Sequence, residues 1–174
     1  MIISKSSCQT IKLYISTFYN VQNPILSISI ISGKNFIPPL DPCQLVIVGT
    51  LESKETLSSE PVNFYNDTPE FNTELAWTMS RQTFQALRGR RGRLKVEIYF
   101  NSNKKLLGHH LFDLREAIPK KDIDENESYI VHASERKLKC PETLPGRSCP
   151  SIRAALIIEP CEPDFNEEDK VKVT

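Results

Sequence analysis

The densest chemistry in this chain is cationic. Arg81, Arg88, Arg90, Arg91, Arg93 and Lys95 crowd one stretch with only Glu97 against them, and Lys104 and Lys105 follow in the next loop. Arg90, Arg91 and Arg93 flank Gly89 and Gly92, so these guanidinium groups sit on a turn where they can fan out. The formal net charge is +0, so the cluster is a local positive patch on a neutral protein. Arg88, Arg90, Arg91, Arg93, Lys95, Lys104 and Lys105 are the candidate partner-binding residues. Such a patch attracts polyanionic surfaces. The plainer reading is a solvated turn between two elements. No aromatics interleave with the arginines and no nucleic-acid motif is present, so nucleic acid is not the expected partner.

The other reactive residues are sparse. His109 and His110 are adjacent, so in a strand they point to opposite faces and do not share a metal; His132 is far from both in sequence. No nucleophile elbow, phosphate-binding loop or metalloprotease motif appears, so no catalytic residue, metal or cofactor is expected. The five cysteines, Cys8, Cys43, Cys140, Cys149 and Cys161, are odd in number and contain no C-x-x-C pair. That spacing disfavours a zinc site. Without a secretory signal, free thiols are preferred over a Cys140–Cys149 disulfide.

The elements that position these residues alternate with period two. Leu26, Ile28 and Ile30 alternate with Ser27 and Ser29, which predicts a strand over 25–31. Ser32 to Asn35 breaks it, Phe36 and Ile37 fold back as a plug, and Pro38, Pro39 and Pro42 stiffen a loop. A second strand covers 43–51, Glu52 to Ser59 is a polar hairpin end, and Pro61 to Tyr65 is a short third strand. Asn66, Asp67 and Pro69 supply turn chemistry. Beyond them Phe71, Thr73, Leu75 and Trp77 share one face of a fourth strand, with both aromatics pointing inward. A short helix is predicted over 80–88, capped by Ser80, carrying Phe84 and Leu87 on one face and ended by Gly89. Further strands are expected at Leu94–Phe100, Leu106–Leu114, Tyr129–Ala133 and Ile152–Ile158, with irregular chain at 115–127 and a loop at 141–150.

About eight short strands with turn signals between them and one helical insertion point to an all-β antiparallel sandwich. The 174 residues suffice for one domain, and 39% hydrophobic with 25% charged residues is ordinary for a soluble globular protein. The N-terminal residues carry no unbroken apolar segment, and no run reaches the roughly 20 apolar residues of a membrane span. An intracellular, soluble chain is expected. Residues 160–174 hold Glu162, Asp164, Glu167, Glu168 and Asp169 with little to bury, and are expected to be a disordered acidic tail.

The pattern Thr68-x-Pro69-x-Phe71-Asn72 followed by Trp77 resembles the middle of a C2 domain, and Gly108, Leu111 and Leu114 match the strand after its third loop. More narrowly, the run Asp67 to Trp77, Gly33-Lys34-Asn35-Phe36 and Phe112-Asp113-Leu114-Arg115 resemble the first C2 domain of the 120-kilodalton centrosomal protein family. The resemblance covers roughly 25–159, leaving 1–24 as an uncertain extension. It implies an eight-stranded sandwich of permuted C2 topology and a binding module, not a catalyst. That family acts in centriole assembly and cilium formation, and its first C2 domain is associated with microtubules and tubulin. The chain has no heptad run, so partner sites on the family's coiled coil are not carried over. Many C2 domains bind Ca²⁺ through several carboxylates on two loops; here the first loop offers Asp41 alone, and Asn101 and Asn103 stand where a pair of Asp would be. The implied function is a calcium-independent module at the centrosome or centriole that binds microtubules, tubulin or a centriolar protein. The runner-up is an adaptor for anionic membranes using the same cluster.

Overall fold

The structure, a computed structural model, describes residues 11–12, 23–37, 43–52, 55–120, 129–141 and 148–160. The Pro38, Pro39 and Pro42 loop, Asp41, Cys8, Cys161 and the acidic run after Pro160 lie outside the described residues.

In chain order the strands are β1 (Ile11–Lys12), β2 (Pro24–Lys34), β3 (Cys43–Leu51), β4 (Glu55–Ser58), β5 (Val62–Phe64) and β6 (Glu70–Thr78). After helix α1 (Arg81–Gly89) come β7 (Arg93–Phe100), β8 (Leu106–Asp113), a 3-10 turn (Leu114–Glu116) and β9 (Ile118–Pro119). Helix α2 (Tyr129–His132), β10 (Ser134–Lys137) and β11 (Ser151–Pro160) complete the described chain. One sheet runs β1-β6-β2-β11-β10, with β9 also on β11; the other runs β4-β3-β7-β8, with β5 also on β3. The principal pairings are antiparallel, and the all-β sandwich expected from the sequence is what forms.

Period-two alternation drives both sheets. Leu26 lies opposite Trp77 and Ile158, and Ile28 opposite Leu75 and Leu156, so the centre of the first sheet's inner face is apolar. On the second sheet Leu45, Ile47 and Leu51 of β3 and Leu94, Val96 and Ile98 of β7 point the same way and are buried. Glycine is required where β3 faces Trp77 of β6. A Cβ at Gly49 would lie 2.8 Å from Trp77 Cη2 and 2.9 Å from Leu75 Cδ1.

The Pro69 turn forms as its residues predict. Asn66 Oδ1 accepts a hydrogen bond from Thr68 N at 3.1 Å. Gly33 N donates to Pro69 O and Phe36 N to Asp67 O, which ties this turn to the end of β2. Phe36 does plug the sandwich, meeting Phe64 and Phe71 edge-on at centroid distances of 6.1 and 5.8 Å, whereas Ile37 is 50% exposed. The β2–β6 register shifts between Ile30 and Ser32, where Asn72 takes φ 43°. Asn tolerates that left-handed backbone, and the bulge keeps Phe71 inward.

Three expectations need correction. Tyr129–His132 is one helical turn, and the strand begins only at Ser134. The β-branched run there suggested a strand, but its neighbour Ala133 packs with Ile118 on Ala155 and Ile157, covering the outer face of β11. Tertiary burial has overridden local β-propensity. Glu55–Ser58, expected as a polar hairpin end, is a strand on β3. Within 115–127, expected to be irregular, Ile118–Pro119 pairs in parallel with β11. Ile11–Lys12, from the uncertain extension, pairs in parallel with β6.

The contact of Trp77 with Gly49 sets the first prediction. Trp77→Ala costs about 3–5 kcal/mol, and Gly49→Ala costs about 1–3 kcal/mol by overpacking the same contact. Chemical denaturation measures both, and wild-type midpoints would contradict the inward assignment of β6.

Candidate docking surface

Helix α1 carries the cationic stretch into place. Ser80 Oγ accepts from Thr83 N at 3.0 Å, and Phe84 and Leu87 are buried against the sandwich. The helix does not end on a left-handed Gly89. Gly92 N donates to Leu87 O at 2.7 Å and Arg91 N to Arg88 O at 3.2 Å, with Arg91 at φ 58°. This bonding pattern is the Schellman motif, with arginine in the position that glycine usually fills.

Two carboxylates brace this end. Glu52 Oε1 accepts from Arg93 N at 2.6 Å, and its Oε2 lies 3.3 Å from Arg90 Nη2. The register Leu51 opposite Leu94 brings Glu52 there, from 41 residues upstream of Arg93. Asp113 accepts from Arg115 through Nε and Nη2 and from the Arg115 backbone N–H. These Arg115 hydrogen bonds, with Arg91 nearby, hold the Asp113 carboxyl well below the usual carboxylate range. Glu52 did not stand out in the linear sequence, because strand pairing alone brings it to the turn.

The seven candidate residues do not share one face. Arg88, Arg90, Arg91 and Arg93 gather where α1 enters β7, whereas Lys104 and Lys105 lie in the loop at the other end of that strand. At about 3.3 Å per residue, β7 holds the two groups roughly 23 Å apart. Arg91 and Arg93 are exposed, and Arg88 lies 5.7 Å over the Phe84 ring. Lys95 Nζ is 2.6 Å from Glu97 Oε1, its neighbour on the same outer face.

At the far end, neutral oxygens are already engaged. Lys104 Nζ donates to Asn101 Oδ1 at 3.1 Å, and Lys105 N to Asn103 Oδ1 at 2.9 Å. Asn101 Nδ2 in turn donates to Gln44 Oε1, and Gln44 Nε2 to Asn63 Oδ1. Among the described residues no three His, Cys, Asp or Glu side chains gather as a metal site. His110 Nδ1 lies 2.9 Å from Lys137 O, and its ring stands edge-on to Phe112 at 4.7 Å. Cys140 and Cys149 are free, and burial raises the Cys43 and Cys140 thiols. Raised thiols are poor nucleophiles.

Solved structures share this architecture. A C2 domain of plant Extended Synaptotagmin 1 superposes with a TM-score of 0.55 at 15% identity, covering 83% of this chain and 100% of that one. The chain has the C2 fold. A second C2 domain-containing protein gives a TM-score of 0.52 at 16% identity over 87% of this chain and 99% of its own. Human GIVD cytosolic phospholipase A2 gives 0.51 at 11% identity, but over 17% of its length, so that likeness carries the fold and no activity. No family model matches the chain. Among curated proteins, the human centrosomal protein of 120 kDa is 32% identical over 97 residues, which is 53% of this chain and 10% of that protein. The Xenopus tropicalis protein of the same name is 30% identical over 107 residues, 59% of this chain and 12% of that one. The C2 domain thus spans about a tenth of the length of these relatives. No helix among the described residues is long and apolar enough to cross a membrane.

The C2 domain's arginine turn carries strain that a stability optimum would avoid. A side chain in left-handed backbone costs roughly 1–2 kcal/mol, partly offset by the entropy glycine loses on folding. Arg91→Gly is therefore expected to raise stability by up to about 1 kcal/mol while removing one positive charge. Thermal melts measure this, and a clear loss of stability would show that the Arg91 side chain has a structural partner.

Proposed function

We propose that this C2 domain is a non-catalytic, calcium-independent docking module of a centrosomal or centriole-assembly protein. It binds the acidic surface of microtubules, tubulin or a centriolar protein through the α1–β7 end. The observation that carries this reading is Arg90, Arg91 and Arg93 presented together beyond a tightly bonded helix terminus. Long-range attraction to a polyanionic surface follows from such clustering. The identity with centrosomal proteins of 120 kDa supports a centrosomal, cytoskeletal setting. Anionic phospholipid would be drawn to the same arginines and is the alternative ligand.

Calcium independence is supported by the Asn101 and Asn103 loop. A lysine ammonium already occupies the Asn101 oxygen, and Ca²⁺ requires six to eight oxygens, several of them anionic. Calorimetric titration of the chain with CaCl₂ is expected to show no micromolar binding; saturable heat in that range would overturn this part of the reading.

Microtubule co-pelleting across a salt series tests the docking itself. Exposed charge contacts are screened over about 8 Å at physiological ionic strength, so pelleting should weaken as salt rises. It should vanish in the Arg90→Glu, Arg91→Glu, Arg93→Glu variant. Undiminished pelleting of that variant would remove the site from this turn, and no pelleting at low salt would remove the filament partner.

A further inference from the structure

Beside the arginine turn lies an open groove of about 620 Å³, whose lining includes Pro24, Arg81, Phe84, Gln85, Arg88 and Arg115. Arg81, Phe84, Gln85 and Arg88 follow the i, i+3, i+4, i+7 spacing of one helix face. The groove wall opposite comes from the start of β2 and the 3-10 turn. Among its described lining residues none is acidic, and Arg115 of the lining is paired with Asp113. Arg81 has no ion-pair partner among the described residues, and Arg88 rests on the Phe84 ring.

We infer that this groove is a binding site for an extended acidic peptide segment of a partner protein. Two turns of helix set Arg81 and Arg88 about 10 Å apart along the axis. On an extended strand, carboxylates two or four residues apart share a face at roughly 7 and 13 Å, a range that brackets this span. Guanidinium groups pair with carboxylates through fixed, bidentate geometry. Gln85 supplies a donor and an acceptor suited to a peptide backbone, and Phe84 with Pro24 gives the segment an apolar floor. The inference rests on the docking role proposed above, but not on its filament partner or on Arg90, Arg91 and Arg93.

The probe is a fluorescein-labelled octaglutamate read by fluorescence anisotropy against the full chain. The chain's own Glu162, Asp164, Glu167, Glu168 and Asp169 share the probe's chemistry and would compete. A full-length variant with those five changed to Gln or Asn is therefore measured in parallel. Saturable binding is expected in at least one of the two. Arg81→Glu with Arg88→Glu should weaken it at least about tenfold. The single Arg81→Glu, at an exposed position, should weaken it in the same direction, which keeps the test valid if the double variant misfolds. Lys104→Glu with Lys105→Glu, at the opposite end, should leave it nearly unchanged. The inference is overturned by absence of binding in both chains or by equal loss in the Lys104, Lys105 variant. Displacement of the probe by inorganic triphosphate at lower concentration than by unlabelled octaglutamate would also overturn it. All these variants retain Arg90, Arg91 and Arg93, so this test and the microtubule test fail independently.

Discussion

The spacing of the two sheets depends on one contact, the Trp77 indole laid across Gly49. Any side chain at position 49 would overlap the ring. With the ring in place, Leu26 and Leu75 beside it and Val96 opposite Gly49 complete a dry interior. Buried aromatics of this size dominate the energetics of a sandwich core. The indole N–H has no hydrogen-bond partner among the described residues, so the stabilisation is packing, not polar pairing. The same registers carry the arginine turn. Gly49 opposite Val96 and Leu51 opposite Leu94 place Glu52 under Arg93, and that brace orders the arginine turn.

The turn itself combines order with local strain. Its backbone is held by the helix-terminal hydrogen bonds and by Glu52, while Arg91 occupies left-handed backbone. Strain of this kind persists where surrounding structure over-determines it, and it clusters at functional positions. Carboxylates offset only part of the charge, since Glu52 meets Arg90 and Asp113 meets Arg115. The resulting surface is a local positive patch on a protein whose formal net charge is +0. Rigid presentation from a packed sandwich lowers the entropy cost of docking.

Much of this was legible in the residues because period two is a strong signal. Alternation revealed β2 and β7, and β-branched content revealed β3. Trp77 and Phe71 were recognisable as core from their spacing after Pro69. The helix was legible from Ser80, Phe84 and Leu87. Failures came where local preference and tertiary context disagree. Tyr129 to Val131 favour extended chain by composition, yet that segment turns as a helix so that Ala133 reaches the outer face of β11. The cationic residues were visible, but their division was not, because only strand direction separates Lys104 and Lys105 from the Arg90 to Arg93 turn. Glu52 was silent for the same reason. It gains its role from Arg93 and Arg90 across the sheet, which linear spacing does not report.

The claim that the arginine end docks an acidic protein surface is tested most directly by competition. The full chain is bound to microtubules at low salt and challenged with an excess of phosphatidylserine vesicles, and the bound fraction is followed by sedimentation. Retention on microtubules, with vesicles recovering little of the chain, is the predicted result. Transfer of the chain to the vesicles would contradict the account and make the C2 domain a membrane adaptor.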